Sequence, residues 1–257
     1  MNKKELSTPI DWQNVDAVVF DLDGTLYLGN ELLPQALELV NLAQKQGACY
    51  FLSNNTSKTP ESTWAKMQKL GLTVELSQVL SPLHTLVAHI KKSDINKCWV
   101  LANGEVLAWL QFALPQVDFK AERVETELVV LAYDDSLTYQ DLCEVAWRLQ
   151  DGAKYWITHP DFLCPHPQGY VPDVGGLVEL FATCTQRRPE VILGKPSPIA
   201  LEAVLQNYSA ERVLFIGDRL YTDWQLAQNV GCQFRLSLAG ETNLEMWEKS
   251  DPQPLLL

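Results

Sequence analysis

Four short polar clusters, each directly following an apolar run, hold the side chains best suited to chemistry in this chain. They are Asp21-Leu22-Asp23-Gly24-Thr25, Ser53-Asn54-Asn55, Gly194-Lys195-Pro196, and Gly217-Asp218 with Asp223 following. Carboxylates gathered within a few ångströms repel, so at neutral pH they share a proton or hold a hard cation. An all-oxygen set with few ligands selects Mg2+ over a Ca2+ cage. Mg2+, the Lys195 ammonium, the Ser53 hydroxyl and backbone N–H groups together complement a phosphoryl group, because they neutralise its equatorial oxygens during transfer. The expected partner is a small phosphorylated metabolite, a phosphate ester. Asp23 lies two residues after Asp21. Once Gly24 turns the chain out of strand geometry, the two carboxylates can meet one phosphorus from different sides, one to attack and one to handle protons.

Taken singly, each cluster has an ordinary reading. The Asp21-Leu22-Asp23-Gly24 stretch opens like a calcium loop, yet Leu26 and Leu32 stand where that loop needs Gly and a terminal Glu, and a strand precedes it. Asp218 and Asp223 suit helix N-caps, Ser53 and Asn54 suit turns, and Lys195 suits a solvated loop. What sets them apart is shared position. All four follow apolar strands, at the carboxyl ends where open α/β sheets place their ligand crevice.

The elements that must position them alternate in the rhythm of βαβ units with a parallel sheet, giving an α/β fold. Strands are predicted at Val18–Phe20, Cys49–Leu52, Val191–Leu193, Val213–Ile216 and near Phe234–Leu238. A helix is predicted over Pro34–Gln46, with Leu37, Val40 and Leu42 facing inward and Gly47 past its end. A second helix opens at Pro60 and ends at Gly71. From Pro82 the rhythm restarts, with strands at Cys98–Leu101, Leu128–Tyr133 and Lys154–Thr158 between helices, then a loop over Asp161–Tyr170 and a helix over Gly176–Thr185. This divides the chain into a core of residues 1–81 and 182–257 and an inserted α/β unit of residues 82–181. Ser81-Pro82 and Val174-Gly175-Gly176 read as the connections between them.

Composition agrees with a globular enzyme. The chain has 257 residues, 47% apolar and 20% charged, which excludes general disorder. Twenty Lys and Arg against 32 Asp and Glu give a net charge of −12, which repels nucleic acid and anionic membrane surfaces. The longest apolar runs, such as Leu128–Tyr133, are too short to span a bilayer. Lys3 and Lys4 are followed by no apolar leader segment, so a cytoplasmic protein is expected. Six cysteines without a CxxC pair read as small buried hydrophobes, and Trp109, Trp147 and Trp156 read as core.

Four segments carry a family resemblance: Phe20-Asp-Leu-Asp-Gly-Thr-Leu-Tyr27, Phe51-Leu-Ser-Asn-Asn-Thr56, Leu193-Gly-Lys-Pro-Ser-Pro198 and Ile216-Gly-Asp-Arg-Leu-Tyr-Thr-Asp223. In that order they resemble the four motifs of the haloacid dehalogenase superfamily. The stretches Thr158-His-Pro-Asp161 and Gly169–Gly175 resemble the branch typified by NagD, phosphoglycolate phosphatase and pyridoxal phosphatase, whose cap lies between the second and third motifs. The resemblance implies a Rossmann-like three-layer core with an inserted cap, and a phosphatase working through an aspartyl-phosphate. It implies Asp21 as nucleophile and Asp23 as general acid, then general base. The Asp21 and Asp218 carboxylates and the Asp23 backbone carbonyl would bind Mg2+, with Asp223 orienting these ligands. Ser53, Asn54 and Lys195 would hold the phosphoryl oxygens. The cap would meet the leaving group, with His159 and Asp161 as candidate substrate contacts, and exposed cap surfaces would pair into a homo-oligomer. The chain has His159 where the branch often has Asn, and Ser53 where it commonly has Thr; the latter keeps the hydroxyl.

Three other uses of these residues stay open at this level. A phospho-accepting switch domain would store the aspartyl-phosphate, but the inserted unit has no role there and Asp23 speeds turnover. Phosphotransfer to a second alcohol uses the same residues as hydrolysis. A non-catalytic phosphometabolite-binding protein has no need of the Asp21 and Asp23 pair. Sugar phosphates, nucleotides, phosphoglycolate and pyridoxal phosphate all fit as substrates.

Overall fold

A computed structural model describes residues 9–164 and 168–257. The Lys3-Lys4 segment and residues 165–167 of the expected loop lie outside the described residues. The chain divides into two units, one of Met1–Ser53, Glu61–Leu80 and Lys195–Leu257, the other of Asn54–Pro60 and Ser81–Gly194.

The first unit is built on a five-stranded parallel sheet, in the order Gln233–Leu236, Val213–Gly217, Ala17–Asp21, Ala48–Leu52, Val79–Leu80. Ala17–Asp21 and Val213–Gly217 are buried along their whole length, as expected of central parallel strands covered on both faces. Their side chains alternate between two cores. Val18, Phe20, Phe51 and Ile216 pack with Val40 and Met67; Val19, Phe215 and Leu201 pack with Leu226 on the other face. The chain leaves Ala17–Asp21 toward Ala48–Leu52 on one side, and Val213–Gly217 flanks it on the other. Asp21 therefore sits at a topological switch point, where such sheets open a crevice.

The second unit has its own four-stranded parallel sheet, in the order Val191–Ile192, Lys154–Ile157, Leu128–Leu131, Cys98–Leu101. Leu83, Leu86 and Ile90 of the helix Pro82–Lys91 and Val106 and Leu110 of Gly104–Ala113 join one core. Val145 and Leu149 of Tyr139–Gln150 and Val174, Val178 and Phe181 of Val174–Thr185 join the other.

Several expectations are corrected. The inserted unit runs to Gly194, not 181, because the helix Val174–Thr185 and the strand Val191–Ile192 both build it. It also takes Asn54–Pro60, which precedes the expected boundary. The Gly175-Gly176 pair lies inside a helix, where a Cβ on Gly175 would meet the backbone of Pro160 and Asp161. On the helix Ala36–Gln46 the buried stripe is Ala36, Val40 and Ala43, while Leu37 and Leu42 flank it and are exposed. The stripe follows the i, i+4, i+7 spacing of a helix face turned to the core. Trp147 is also exposed, with the Arg123 guanidinium over its ring at 5.6 Å. Cys184 is exposed, not buried. The expected loop holds a short antiparallel pair, Leu163–Cys164 with Val171–Pro172. Among the described residues no helix is long and apolar enough to cross a membrane.

Candidate active site

Strand register brings three of the four clusters together. Asp21 pairs with Leu52, so Ser53 follows one step beyond, and Phe20 pairs with Ile216, so Gly217 and then Asp218 follow on the other flank. The fourth cluster arrives differently from the expectation. Val191–Ile192 belongs to the second unit's sheet, and the chain passes into the first unit only at Lys195. Lys195 is therefore delivered by a crossing segment and not by a strand of the site's own sheet.

Asp21, Asp218 and Asp223 are buried and each offers an oxygen within 4.8 Å of the others. Lys195, itself buried, contacts Asp21 Oδ1 and lies 2.7 Å from Asp223 Oδ1. One ammonium offsets three carboxylates and leaves the cluster anionic when all ionise. Asp223 Oδ2 accepts from the backbone N–H groups of Asp218 and Arg219, both at 3.0 Å. Asp218 accepts from Thr25 Oγ1 at 3.4 Å and from the Glu241 N–H at 2.6 Å. Thr25 and the Glu241 turn were not singled out from the sequence. Gly24, at φ +92°, is required here, because a Cβ would stand 2.5 Å from Asp218 Oδ2, and Gly240 is crowded by the same carboxylate. Asp21 Oδ2 is buried without a hydrogen-bond partner among the described residues.

The hard all-oxygen donor set of Asp21, Asp218 and Asp223 fits a small divalent cation such as Mg2+. The electrostatics agree. Burial opposes the charge on Lys195, but the Asp21 and Asp223 carboxylates outweigh it and hold its pKa above the ordinary value. Burial, then the charges of Asp21 and Asp223, push the Asp218 carboxyl up to about 8. Burial also raises Asp223, against the pull of Lys195. A carboxyl whose pKa rises on folding contributes stability that is complete below its unfolded pKa and is lost as pH climbs through the folded one. Metal-free protein should therefore lose melting temperature between about pH 4 and pH 8 through Asp218. Asp218→Asn should flatten that slope. Added Mg2+ should raise the melting temperature more at pH 8 than at pH 5, since binding must displace the proton. A metal-induced shift that is constant across this window, or larger at pH 5, would contradict the assignment.

Asp23 stands outside the carboxylate cluster. Its side chain is partly exposed, and Lys66 Nζ lies 3.6 Å from its Oδ1. Ser53 is buried at the end of its strand. Asn54 belongs to the second unit, where its Nδ2 donates to Asp161 Oδ2 at 2.8 Å. The residues after it are joined to the same unit. Thr56 Oγ1 accepts from the Tyr133 N–H at 3.2 Å, Asn103 Nδ2 donates to the Ser57 carbonyl at 2.9 Å, and Lys58 pairs with Glu105 at 3.1 Å. His159 is buried, with Nδ1 2.9 Å from Thr158 Oγ1 and Nε2 3.0 Å from Asp173 Oδ1. Asp173 in turn caps the helix Val174–Thr185. Both His159 and Asp161 thus have internal partners. The second unit also holds a polar cleft of about 390 Å3, lined by Ser57, Lys58, Asn103, Glu105, Tyr133, Asp135 and Cys164.

The chain matches two family models, "Haloacid dehalogenase-like hydrolase" over residues 18–113 and "HAD-hydrolase-like" over residues 192–256. It is 27% identical over 248 residues to an acid sugar phosphatase of Staphylococcus haemolyticus, covering 94% of this chain and 92% of that one. It is 28% identical over 227 residues to the sugar-phosphatase AraL of Bacillus subtilis, covering 87% and 83%. The crystal structure of a 4-nitrophenylphosphatase from Thermotoga maritima superposes with a TM-score of 0.88 at 29% identity, over 95% of this chain and 94% of that one.

Proposed function

Since the chain belongs to the haloacid dehalogenase superfamily, in its NagD-like branch, and is a phosphomonoester hydrolase, we propose that it hydrolyses sugar phosphates with Mg2+ through a phosphorylated Asp21. The observation that carries this reading is the asymmetry of Asp21, with Oδ1 held by Lys195 and Oδ2 buried without a partner. A carboxylate fixed at one oxygen can present the other to phosphorus along a set direction.

In this mechanism Asp21 Oδ2 forms a bond to phosphorus as the bond to the leaving oxygen breaks. Asp23 gives its proton to that oxygen, and the alcohol departs. Water then attacks phosphorus and passes a proton to Asp23, which regenerates the Asp21 carboxylate and frees phosphate. Ser53 and Lys195 bind the phosphoryl oxygens, with Asn54 as a further proposed contact. Asp21 and Asp218, with the Asp23 carbonyl, would hold Mg2+, which supplies charge neutralisation for the phosphoryl oxygens. Asp223 keeps Lys195 and the Asp218 backbone in place.

We assign leaving-group recognition to the second unit. Its cleft begins at Ser57, four residues after Ser53, and its Lys58, Asn103, Glu105, Tyr133 and Asp135 can hydrogen-bond a polyol. The two sugar phosphatase relatives support the same class. His159 and Asp161, bonded to Asp173 and Asn54, are proposed to shape the second unit's loops around the leaving group. Phe112 and Val124, 88% and 91% exposed on the second unit, support pairing of two copies there. A cytoplasmic setting completes the reading.

A phosphate-release panel of sugar phosphates, a nucleotide, phosphoglycolate, pyridoxal phosphate and 4-nitrophenyl phosphate tests it. Sugar phosphates should give the highest kcat/KM, and no hydrolysis of any ester would overturn the function. Tyr133→Ala and Asn103→Ala should lower kcat/KM on sugar phosphates by about tenfold more than on 4-nitrophenyl phosphate. Lys195→Ala should depress all alike, because it meets only the common phosphoryl group.

A further inference from the structure

We propose that Lys66 is a positioning residue for Asp23, holding the proton-handling carboxylate in one orientation and meeting the charge that appears on it as its proton leaves. The proposal rests on the reading of Asp23 given above. Lys66 lies on the helix Pro60–Lys69, whose neighbouring Met67 is fully buried in the first unit's core and fixes the helix rotation. Its Nζ sits 3.8 Å from the centroid of the Tyr27 ring and 3.6 Å from Asp23 Oδ1. Tyr27 is buried, and its backbone is tied to the turn that carries Asp23. The Tyr27 carbonyl accepts from the Gly24 N–H at 2.8 Å, and its N–H donates to the Leu22 carbonyl at 3.2 Å. The aromatic face therefore seats the ammonium, and the same turn sets its distance from Asp23.

Among the described residues Lys66 is the one charged side chain of opposite sign within 4.0 Å of Asp23. Such a partly exposed pair adds little to stability. The Asp23 side chain is 42% exposed and without a partner would distribute over several staggered rotamers. When the bond from phosphorus to the leaving oxygen breaks, the Asp23 proton and its hydrogen bond pass to that oxygen, and a negative charge remains on the carboxylate beside the ammonium. The same carboxylate must then stay aimed at the water whose proton it accepts.

The test compares Lys66→Met, which keeps the stem over Tyr27 and removes the charge, with Lys66→Arg, which keeps the charge. Each is assayed with glucose 6-phosphate, whose leaving oxygen needs a proton, and with 4-nitrophenyl phosphate, whose leaving group departs without one. Asp23→Asn serves as the benchmark. Lys66→Met should lower kcat/KM on the sugar phosphate by about 10- to 100-fold and on the aryl phosphate by less than about 3-fold, and Lys66→Arg should recover most of the loss. Equal losses on both substrates, or no loss on either, overturn the proposal. If Asp23→Asn shows the leaving-group split and Lys66→Met does not, Lys66 alone is misassigned. If Asp23→Asn shows no split, the reading of Asp23 fails and the proposal falls with it.

Discussion

Asp21→Asn should reduce kcat on every phosphomonoester by on the order of ten-thousandfold or more, about 5 kcal/mol of lost transition-state stabilisation. The amide nitrogen or oxygen that replaces Oδ2 is a poor nucleophile, so the covalent step is lost and not merely slowed. The fold should survive the change. Asn has the same shape, Lys195 keeps Asp223 at 2.7 Å, and removal of one of three clustered carboxylates relieves repulsion on Asp218 and Asp223. The variant should therefore melt no lower than the parent when both are metal-free, which separates lost chemistry from lost structure. Phosphate release at the parent rate would remove Asp21 from its assigned role.

Chelation is the second large effect. Excess chelator should take phosphatase activity to background, and Mg2+ in excess of the chelator should restore it. Without a cation, a substrate phosphate approaches three carboxylates offset by one ammonium, and like charge opposes both binding and attack. Asp218→Asn should need much more Mg2+ for half-maximal activity, since it loses a proposed ligand while Lys195 and Asp21 remain. Activity in chelator within tenfold of the Mg2+-supplied rate would contradict a metal-dependent site.

Much of this site was legible because buried parallel strands announce themselves. Ala17–Asp21 and Val213–Gly217 are apolar on both faces, so a carboxylate at the end of either run marks the crevice directly. The register that aligns Asp21, Ser53 and Asp218 follows from pairing those runs side by side. Lys195 was legible by type and motif, but its route was not. Nothing in the short apolar run Val191–Leu193 says which of two parallel sheets it joins, and it joins the second unit's. Ser53 and Asn54 are adjacent in sequence and read as one cluster, yet hydrogen bonds from Asn54, Thr56 and Ser57 tie the segment after Ser53 to the other unit. Such bonds reach across about 50 to 100 residues of chain, beyond the range of any local pattern. The partners of His159 and Asp161 were not legible, because a polar side chain in a Pro-rich stretch gives no sign of which buried group it bonds. On the helix Ala36–Gln46 hydrophobicity favoured Leu37 and Leu42, whereas close packing selected the Ala36, Val40 and Ala43 stripe. Lys66 was missed because a lysine in an amphipathic helix ordinarily faces solvent, and only the tertiary placement of Tyr27 gives it another role.

In the proposed reaction Asp21 carries the phosphoryl group between the two half-reactions. To trap it, Asp23→Asn enzyme and Mg2+ are mixed with 4-nitrophenyl phosphate, whose leaving group departs readily, the mixture is quenched in acid, and phosphorylated peptides are mapped by mass spectrometry. Asp23→Asn should form the acyl phosphate and hydrolyse it slowly, because water lacks its base. One phosphoryl group is expected, on the Asp21 side chain, and it should disappear when Asp21→Asn is combined with Asp23→Asn. A phosphoryl group on any other residue, or hydrolysis by Asp23→Asn with no trapped intermediate while Asp21→Asn remains active, would contradict it.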